Sequence, residues 1–294
     1  MQKRHLSKVN SILQVIKLHL ILNEHAFTNQ IPHVISLSHI KKRRKTVKII
    51  LCGKGGCGKS TVATLLARAY EKHGNNVLVI DSDESNYGLH RQLGFELPED
   101  FTHYFGGKKG AYRKFDDKGY LFEEKWHISD IPEEFLAGRD RLHLLAIGKI
   151  AEAEEGCACG MGFTAKMFLD NLETGDGDIV ITDTEAGVEH FGRGVDRYAD
   201  VILMVVDPSY ESIHLSEKVC DMGRALGKPV YLILNKVDKD QADLIKSTIR
   251  DREAVIAEIP SDPEIMMAGL KGEALDMELP EIETVVSALS GDMI

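Results

Sequence analysis

The chain has 294 residues, of which 43% are hydrophobic and 28% are charged. This composition is typical of a soluble globular protein, and the length allows one large α/β domain or two small ones. No apolar run reaches the roughly 18 residues that indicate a transmembrane helix, which excludes a helical membrane-spanning protein. The five cysteines do not resemble a disulfide framework for a chain of this length. A reducing cytosol with free thiols is therefore expected.

Charge is distributed unevenly along the chain. Residues 1–46 contain nine Lys or Arg and one acidic residue, a net charge of +8. The other 248 residues contain 27 basic and 45 acidic residues, a net charge of −18. Because a nucleic-acid-binding protein needs a basic face for the phosphate backbone, the acidic body argues against nucleic acid as the main partner.

Residues 1–46 are interpreted as an N-terminal extension outside the main domain, which is predicted to span 47–294. Leu6–Leu22 has the composition of an amphipathic helix, and Lys41–Lys45 is a basic cluster. One interpretation is an arm that docks on a membrane surface or on a partner. The alternatives are a disordered tail or a wrongly assigned start upstream of Val47. We favour the alternatives because the extension has no visible apolar partner.

A glycine-rich turn separates a predicted strand at Val47–Cys52 from a predicted helix that starts at Ser60. It matches G-x-x-x-x-G-K-[ST], the phosphate-binding loop of nucleoside triphosphatases. Glycines let backbone N–H groups surround phosphate oxygens, and the helix N-terminus adds partial positive charge. The motif predicts that Lys59 reaches the β- and γ-phosphates of ATP and that the Ser60 hydroxyl binds Mg²⁺. The predicted nucleotide-binding residues of this loop are Gly53, Lys54, Gly55, Gly56, Cys57, Gly58, Lys59, Ser60 and Thr61.

Two acidic residues, Asp81 and Asp83, follow the next predicted strand at Val77–Ile80. In parallel α/β sheets ligands bind beyond the carboxyl ends of the strands, so both acids are expected to face the phosphates. The alternative is that they cap a helix.

Residues 95–141 are interpreted as an insertion. They contain a basic, glycine-rich stretch at Gly106–Gly110 and a concentration of aromatic residues. Such a stretch could contact RNA or a client protein. We favour the other interpretation, in which the insertion packs a small aromatic cluster of its own.

Cys157 and Cys159 form a Cys-Ala-Cys sequence with glycines on both sides. Two thiolates in a turn can converge on one ion, and thiolates favour Zn²⁺, Ni²⁺ or Cu⁺ over Mg²⁺. Two ligands do not complete a structural site, but a two-fold axis through a homodimer would bring four thiolates together. The alternatives are two buried small side chains or a redox pair.

The rest of the chain continues to alternate strands and helices. Predicted strands lie at 142–148, 178–183, 201–206 and 230–234, and predicted helices at 163–172, 209–226 and 281–289, with a loop at 260–264. This alternation predicts an α/β fold, with a single doubly wound, mainly parallel sheet and helices on both faces.

The second lysine of the loop, Lys54, gives Gly-Lys-Gly-Gly-x-Gly-Lys-Ser-Thr. This sequence resembles the deviant Walker A loop of the MinD/ParA/nitrogenase-iron-protein class of P-loop ATPases. The resemblance implies a homodimer that encloses ATP, in which Lys54 reaches the nucleotide of the partner chain. Charge supplied in trans stabilises phosphoryl transfer, as an arginine finger does.

The same resemblance implies roles for five polar positions. Asp83 would orient the attacking water, Asp81 would support the Mg²⁺ shell, and Asp183, at the end of the strand 178–183, would hold Mg²⁺ through water. The Gly187 amide would sense the γ-phosphate, and Asn235 would contact adenine. Lys54, Lys59 and Asp83 are therefore the expected catalytic residues.

The stretches GKGGCGKST, DSDES, GCACG and DTEAGVEHFGRG are similar, in order and approximate spacing, to those of CooC-type ATPases. That family assists nickel insertion into carbon monoxide dehydrogenase and, in relatives, into acetyl-CoA synthase. The resemblance implies that Cys157 and Cys159 bind Ni²⁺, or Zn²⁺, at the dimer interface, and it implies a client nickel enzyme. His190, within the last stretch, is left out of the metal set. Cys57 stands where valine is common, and 95–141 match poorly.

Two other functions stay open. One is a positioning ATPase of the ParA/MinD kind with a DNA or membrane partner, which the basic extension would favour. The other is an ATP-driven electron donor like the nitrogenase iron protein, which would need two cluster cysteines in each chain. The acidic body, the Cys-Ala-Cys sequence and the absence of a cysteine from the stretch Asp183–Gly187 favour the cytoplasmic nickel ATPase.

Overall fold

The computed structural model describes residues 46–150 and 159–291. Its strands are β1 (Val47–Gly53), β2 (Asn76–Asp81), β3 (Leu136–Arg139), β4 (Leu142–Ala146), β5 (Asp178–Asp183), β6 (Val201–Val206), β7 (Val230–Asn235) and β8 (Val255–Ile259). Its helices are α1 (Lys59–Lys72), α2 (Leu89–Leu93), α3 (Gly110–Lys118), α4 (Cys159–Asn171), α5 (Glu189–Arg193), α6 (Tyr210–Leu226), α7 (Lys239–Thr248), α8 (Pro263–Lys271) and α9 (Pro280–Gly291).

The strands form one eight-stranded sheet in the order β3-β4-β2-β5-β1-β6-β7-β8. Every neighbouring pair is parallel except β3 and β4, which are antiparallel. β1 lies near the middle, between β5 and β6. The predicted fold class is therefore confirmed. Central strands with helices on both sides read as continuous apolar runs, which is why β1 and β6 are recognisable from sequence.

Helices cover both faces of the sheet, and successive residues of β1 show this directly. Ile49 and Leu51 pack with α1 and α9 on one face, in a core cluster that includes Leu66 and Val285. Ile50 lies on the other face and packs with Phe168 of α4. A third cluster joins β6 and β7 to α6 and α7.

The predicted aromatic cluster of 95–141 is present, but it is continuous with the core of the sheet rather than separate from it. Phe101 is fully buried, and its ring centroid lies 5.1 Å from that of Phe168 in α4. The same cluster contains Leu78 and Ile80 of β2. This segment also supplies α3 and the edge strand β3, neither of which its composition indicates.

The largest differences from the predicted element boundaries are at the starts of two helices. α4 begins at Cys159 rather than at Phe163. α8 begins at Pro263, inside the predicted loop, because the Asp262 side chain accepts hydrogen bonds from the backbone N–H groups of the first turn and proline suits the start of a helix. Within the two described ranges, no helix is long and apolar enough to cross a membrane. The extension 1–46 lies outside the description apart from Thr46.

Candidate nucleotide site

The phosphate-binding loop joins the carboxyl end of β1 to the N-terminus of α1. Gly53 and Gly58 adopt φ values of 147° and 102°. A Cβ on Gly53 would lie 2.5 Å from the carbonyl oxygen of Val205, and one on Gly58 would lie 2.3 Å from Asn235 Nδ2. Only glycine fits these two positions, because both the backbone conformation and the space exclude a side chain. The motif thus forms the strand–turn–helix arrangement that it predicts.

Cys57, in the middle of the loop, is fully buried and packs in the core beneath it. Burial raises the pKa of its thiol to about 11, so the group is a neutral thiol at neutral pH. The Cys57 carbonyl oxygen accepts a hydrogen bond from Asn235 Nδ2 at 2.8 Å. Any contact of this residue with nucleotide would therefore come from its backbone.

The two loop lysines have different surroundings. Lys59 is only 7% exposed, and its Nζ lies 3.5 Å from the Lys54 carbonyl oxygen. Lys54 is more exposed and turns towards its own chain, where Nζ donates to Ser209 Oγ at 2.9 Å and lies 3.5 Å from Asp207 Oδ2. A role of Lys54 across a dimer interface would require it to leave Asp207 and Ser209.

Three buried carboxylates lie at the carboxyl ends of β2 and β5: Asp81, Asp83 and Asp183. Asp81 and Asp183 are register partners of the two adjacent strands. The Ser60 hydroxyl donates to Asp183 Oδ2 at 2.5 Å. Ser60 and Asp183 are assigned to one magnesium site in the sequence analysis. The two residues are far apart in the chain, and the fold brings them into contact.

Asp183 fits a magnesium site. It is fully buried, and its Oδ1 has no hydrogen-bond partner among the described residues. An orphaned buried carboxylate oxygen beside a serine hydroxyl is a donor set suited to Mg²⁺, which prefers oxygen ligands and binds near substrate phosphates. Asp81 differs, because Oδ1 accepts the backbone N–H of Asp83 and Oδ2 pairs with Lys149.

Asp83 is held by the turn that follows it. Its Oδ1 accepts hydrogen bonds from the Ser85 backbone N–H at 3.0 Å and from Ser85 Oγ at 2.6 Å. The next polar side chain, Asn86, donates to Ser60 Oγ at 2.6 Å. Asn86 was missed by the sequence analysis, and its only sequence signal is its position three residues after Asp83.

Gly187 lies against the first glycine of the phosphate loop. Its backbone N–H donates to the Gly53 carbonyl oxygen at 3.0 Å, so sensing a γ-phosphate would require this bond to change. Nearby, Glu185 pairs with Arg193 of α5 at 2.5 Å. Arg193 packs so closely on α4 that a Cβ on Gly162 would lie 2.6 Å from Arg193 Cδ.

Asn235, the predicted adenine contact, lies between the loop and a cavity of about 360 Å³. Thr61, Val62, Leu65, Pro260 and Met266 are among the residues that line it. A mainly apolar cleft with one amide is suited to a planar base. This position keeps Asn235 as a base-binding candidate, and residues of the segment 260–264, which we expect to flank the base, line the same cavity.

The cysteine pair lies at the edge of what the structure describes. Cys157 is outside the described residues, and Cys159 is described only as the first residue of α4. The other three cysteines, Cys52, Cys57 and Cys220, are buried free thiols. Within 46–150 and 159–291, no group of three or more His, Cys, Asp and Glu residues is placed to hold a metal ion.

His190 is a buried residue, with Nε2 3.4 Å from Asp196 Oδ1. Burial lowers the pKa of His190 to about 3 and raises the pKa of Asp196 to about 7. Both changes favour a neutral pair in the core. The structure thus gives no reason to add His190 to the metal set.

We expect the affinity for Mg²⁺ to fall at acidic pH. Burial raises the pKa of Asp183 to about 6, and a carboxyl group must lose its proton to bind a metal. Below that pH a proton competes with Mg²⁺, so affinity should fall about tenfold per pH unit and be constant above it. Isothermal titration of Mg²⁺ into the ADP-bound protein at pH 5, 6 and 7 measures this. Titration into free ADP corrects for the nucleotide, and a corrected affinity that is the same at pH 5 and 7 would contradict the assignment.

Comparison with known proteins places this site in a family. Residues 48–275 match the family described as CbiA, the CobQ/CobB/MinD/ParA nucleotide binding domain. An uncharacterized ATP-binding protein of Methanocaldococcus jannaschii is 51% identical over 249 residues, which cover 83% of this chain and all of that protein. The carbon monoxide dehydrogenase accessory protein CooC of Rhodospirillum rubrum is 31% identical over 234 residues, covering 77% of this chain and 88% of CooC.

Solved structures agree on the fold. The septum site-determining protein MinD of Pyrococcus horikoshii, in complex with Mg-ADP, superposes with a TM-score of 0.62 over 85% of this chain and 99% of MinD, at 18% identity. A chain of the MinC:MinD cell division protein complex from Aquifex aeolicus gives a TM-score of 0.56 at 22% identity, over 84% of this chain and 95% of that one. With the glycine loop, the buried acids and the family match together, the chain belongs to the CobQ/CobB/MinD/ParA family of nucleotide-binding domains and is a P-loop ATPase.

Proposed function

We propose that this protein is a dimeric, Mg²⁺-dependent ATPase that holds nickel for insertion into a client enzyme such as carbon monoxide dehydrogenase. The observation that carries the proposal is the Cys157-Ala158-Cys159 sequence, whose last residue begins α4, in a chain 31% identical to a carbon monoxide dehydrogenase accessory protein. Zn²⁺ is the other soft cation that two thiolates per chain would suit.

Within each chain, the loop amides and Lys59 would hold the phosphates of ATP, and Asp83 would orient the attacking water. Ser60, Asp183 and, in support, Asp81 would hold Mg²⁺, which when bound offsets the charge that develops on the phosphate oxygens. Gly187 would report the γ-phosphate, because its amide lies next to Gly53.

Dimerisation would complete both sites. Lys54 would supply charge to the partner's nucleotide, and the two cysteines of each chain would give one ion four thiolate ligands. A symmetric dimer places the same residues on both sides of the axis, which suits a tetrahedral site. ATP can favour the closed dimer only through contacts that exist in that state, and Lys54 would provide one of them.

The hydrogen bonds of the described residues support a connection between the two sites. On the N-terminal side of the cysteine pair, the Ile150 backbone N–H donates to the Glu84 carbonyl oxygen, and the Tyr87 hydroxyl donates to the Ile150 carbonyl oxygen. On the C-terminal side, Arg193 connects α4 to Glu185. Both flanks of the cysteine pair therefore contact loops that follow the proposed nucleotide ligands.

Metal analysis of the purified protein tests this proposal. After incubation with Ni²⁺ and a non-hydrolysable ATP analogue, and dialysis against the analogue, the wild-type protein should retain one ion per two chains, and a Cys157→Ser/Cys159→Ser variant should retain none. Cys220→Ser is the matched control, because Cys220 is a buried free thiol elsewhere in the fold. Equal nickel content in the wild-type protein and the double variant would contradict the proposal.

The basic segment 1–46 favours a second candidate, a positioning ATPase that binds an anionic surface. Binding of the full chain and of a chain lacking 1–46 to anionic liposomes and to duplex DNA would distinguish the two functions. ATP-dependent binding that needs residues 1–46, in a protein that retains no nickel, would support the second candidate.

A further inference from the structure

Lys149, just after β4, is a buried lysine that the sequence analysis missed. Its side chain is 3% exposed. Nζ donates to Asp81 Oδ2 at 2.6 Å and to the backbone carbonyl oxygens of Asp83, at 2.6 Å, and of Asn86. The Tyr87 ring lies 5.8 Å from the ammonium group.

These contacts use the full capacity of the ammonium group. A lysine ammonium carries three N–H donors and no acceptor, and Lys149 has three acceptors around it. No donor is left for a phosphate oxygen. Lys149 is therefore suited to hold protein groups in place, in contrast to Lys59, whose Nζ lies 3.5 Å from the carbonyl oxygen of Lys54.

The groups that Lys149 holds belong to one loop of the nucleotide site, residues 82–88, together with the strand end that precedes it. Asp83 is the proposed water-orienting residue, and the Asn86 side chain donates to Ser60 Oγ. Removal of the ammonium group would leave the buried Asp81 carboxylate and the partly buried Asn86 carbonyl oxygen without this donor. The Asp83 carbonyl oxygen would keep only the Asn86 backbone N–H, at 3.3 Å. Such groups would reorient to find new partners.

We propose that Lys149 is a positioning residue for ATP hydrolysis, which fixes loop 82–88 through the carbonyl oxygens of Asp83 and Asn86. The inference rests on the part of the proposed function that assigns Asp83 to the attacking water. It is independent of the nickel site.

Lys149 also has a simpler candidate role, which is to neutralise Asp81. Asp81 is a buried carboxylate in direct contact with Lys149, and burial disfavours its charged form. Lys149 could serve only to neutralise Asp81, without any effect on the loop. The two roles predict different effects of removing Lys149 from a chain in which residue 81 carries no charge.

A double-mutant cycle separates the two roles. Its decisive comparison is of Asp81→Asn with Asp81→Asn/Lys149→Met. The double variant carries neither charge of the pair, whereas Asp81→Asn keeps the Lys149 ammonium without its carboxylate. If Lys149 positions the loop, the added Lys149→Met change should lower kcat roughly 10- to 100-fold, the range found for outer-shell partners, with unchanged ADP affinity. If Lys149 only neutralises Asp81, the two variants should have the same kcat, and that result would overturn the proposal.

Lys48→Met is the matched control. Lys48 is partly buried, and its Nζ, like that of Lys149, donates to two backbone carbonyl oxygens, those of Leu169 and Leu172, but it lies at the amino end of β1. It should lower stability without lowering kcat. Amide hydrogen exchange gives a second readout: protection of residues 82–88 should fall in Asp81→Asn/Lys149→Met relative to Asp81→Asn, and unchanged protection would count against the proposal.

Asp83→Asn, measured beside the cycle, separates the two possible failures. If Asp83→Asn keeps its kcat, the assignment of Asp83 to the attacking water is wrong. If Asp83→Asn is inactive while Lys149→Met changes neither kcat nor loop protection in the Asp81→Asn background, Asp83 keeps its role and the positioning role of Lys149 is wrong.

Discussion

Lys54→Ala is expected to abolish ATP-driven dimerisation and to lower the rate of ATP hydrolysis on the order of 10³-fold or more, the scale of charges supplied in trans to phosphoryl transfer. Each chain should still bind nucleotide, because the rest of the glycine loop is intact. Sedimentation velocity with Mg²⁺ and ATP measures the dimer fraction, and phosphate release measures the rate.

Asp207→Ala is the control for this prediction, because it tests whether Lys54 acts only through its ion pair with Asp207. In the structure Lys54 lies 3.5 Å from Asp207 Oδ2. If Lys54 acted only through that ion pair, both variants would lose activity in the same way. We expect Asp207→Ala to keep the ATP-dependent dimer, because it frees Lys54 for the partner chain. An unchanged dimer fraction in Lys54→Ala would refute the role in trans.

Asp183→Asn is expected to reduce kcat roughly 10²- to 10³-fold, because it weakens the binding of the Mg²⁺ that offsets the developing charge. Asparagine keeps the shape of the side chain and removes its charge, so the fold should survive. The Mg²⁺ concentration for half-maximal activity should rise, whereas ADP binding without metal should be retained. Mg²⁺ titrations of ATP hydrolysis measure the first effect and equilibrium dialysis the second.

The matched control for Asp183→Asn is Thr182→Val. Thr182 is the preceding residue of β5 and is also fully buried, and its Oγ1 has no hydrogen-bond partner among the described residues. Replacing that hydroxyl with a methyl group keeps the volume and leaves no polar group unsatisfied. Thr182→Val should retain wild-type kcat. Equal losses in both variants would show that β5 is sensitive to packing, and the assignment of Asp183 to Mg²⁺ would lose its support.

Much of the fold follows from local patterns in the sequence. The strands β5 and β6 are apolar runs whose bounds agree with the prediction, because a strand covered on both faces has little room for polar residues. The glycine loop was recognisable because phosphate binding requires glycines and one lysine at fixed spacing. The positions of Asp81 and Asp183 followed from the rule that the carboxyl ends of parallel strands share one edge.

The contacts that the sequence did not predict are those between distant residues without a pattern. A single lysine carries no periodic signal, and Lys149 is separated by 66 positions from the Asp83 carbonyl oxygen that it binds. Two other contacts also join distant residues without a sequence pattern. They are the hydrogen bond from Gly187 to Gly53 and the ion pair of Lys54 with Asp207 within one chain. The aromatic residues of 95–141 pack in the main core, where they cover one face of β2 and β4. Composition alone does not predict this contact.

The proposed function requires that ATP closes two chains around one soft cation. Sedimentation of the protein with Ni²⁺, monitored at a nickel–thiolate absorption band, tests it in the presence of a non-hydrolysable ATP analogue or of ADP. We predict that with the analogue the nickel absorbance sediments with a dimer at one ion per two chains, and that this species is lost in Cys157→Ser/Cys159→Ser. Nickel bound at one ion per chain to a monomer, independently of the nucleotide, would contradict the account.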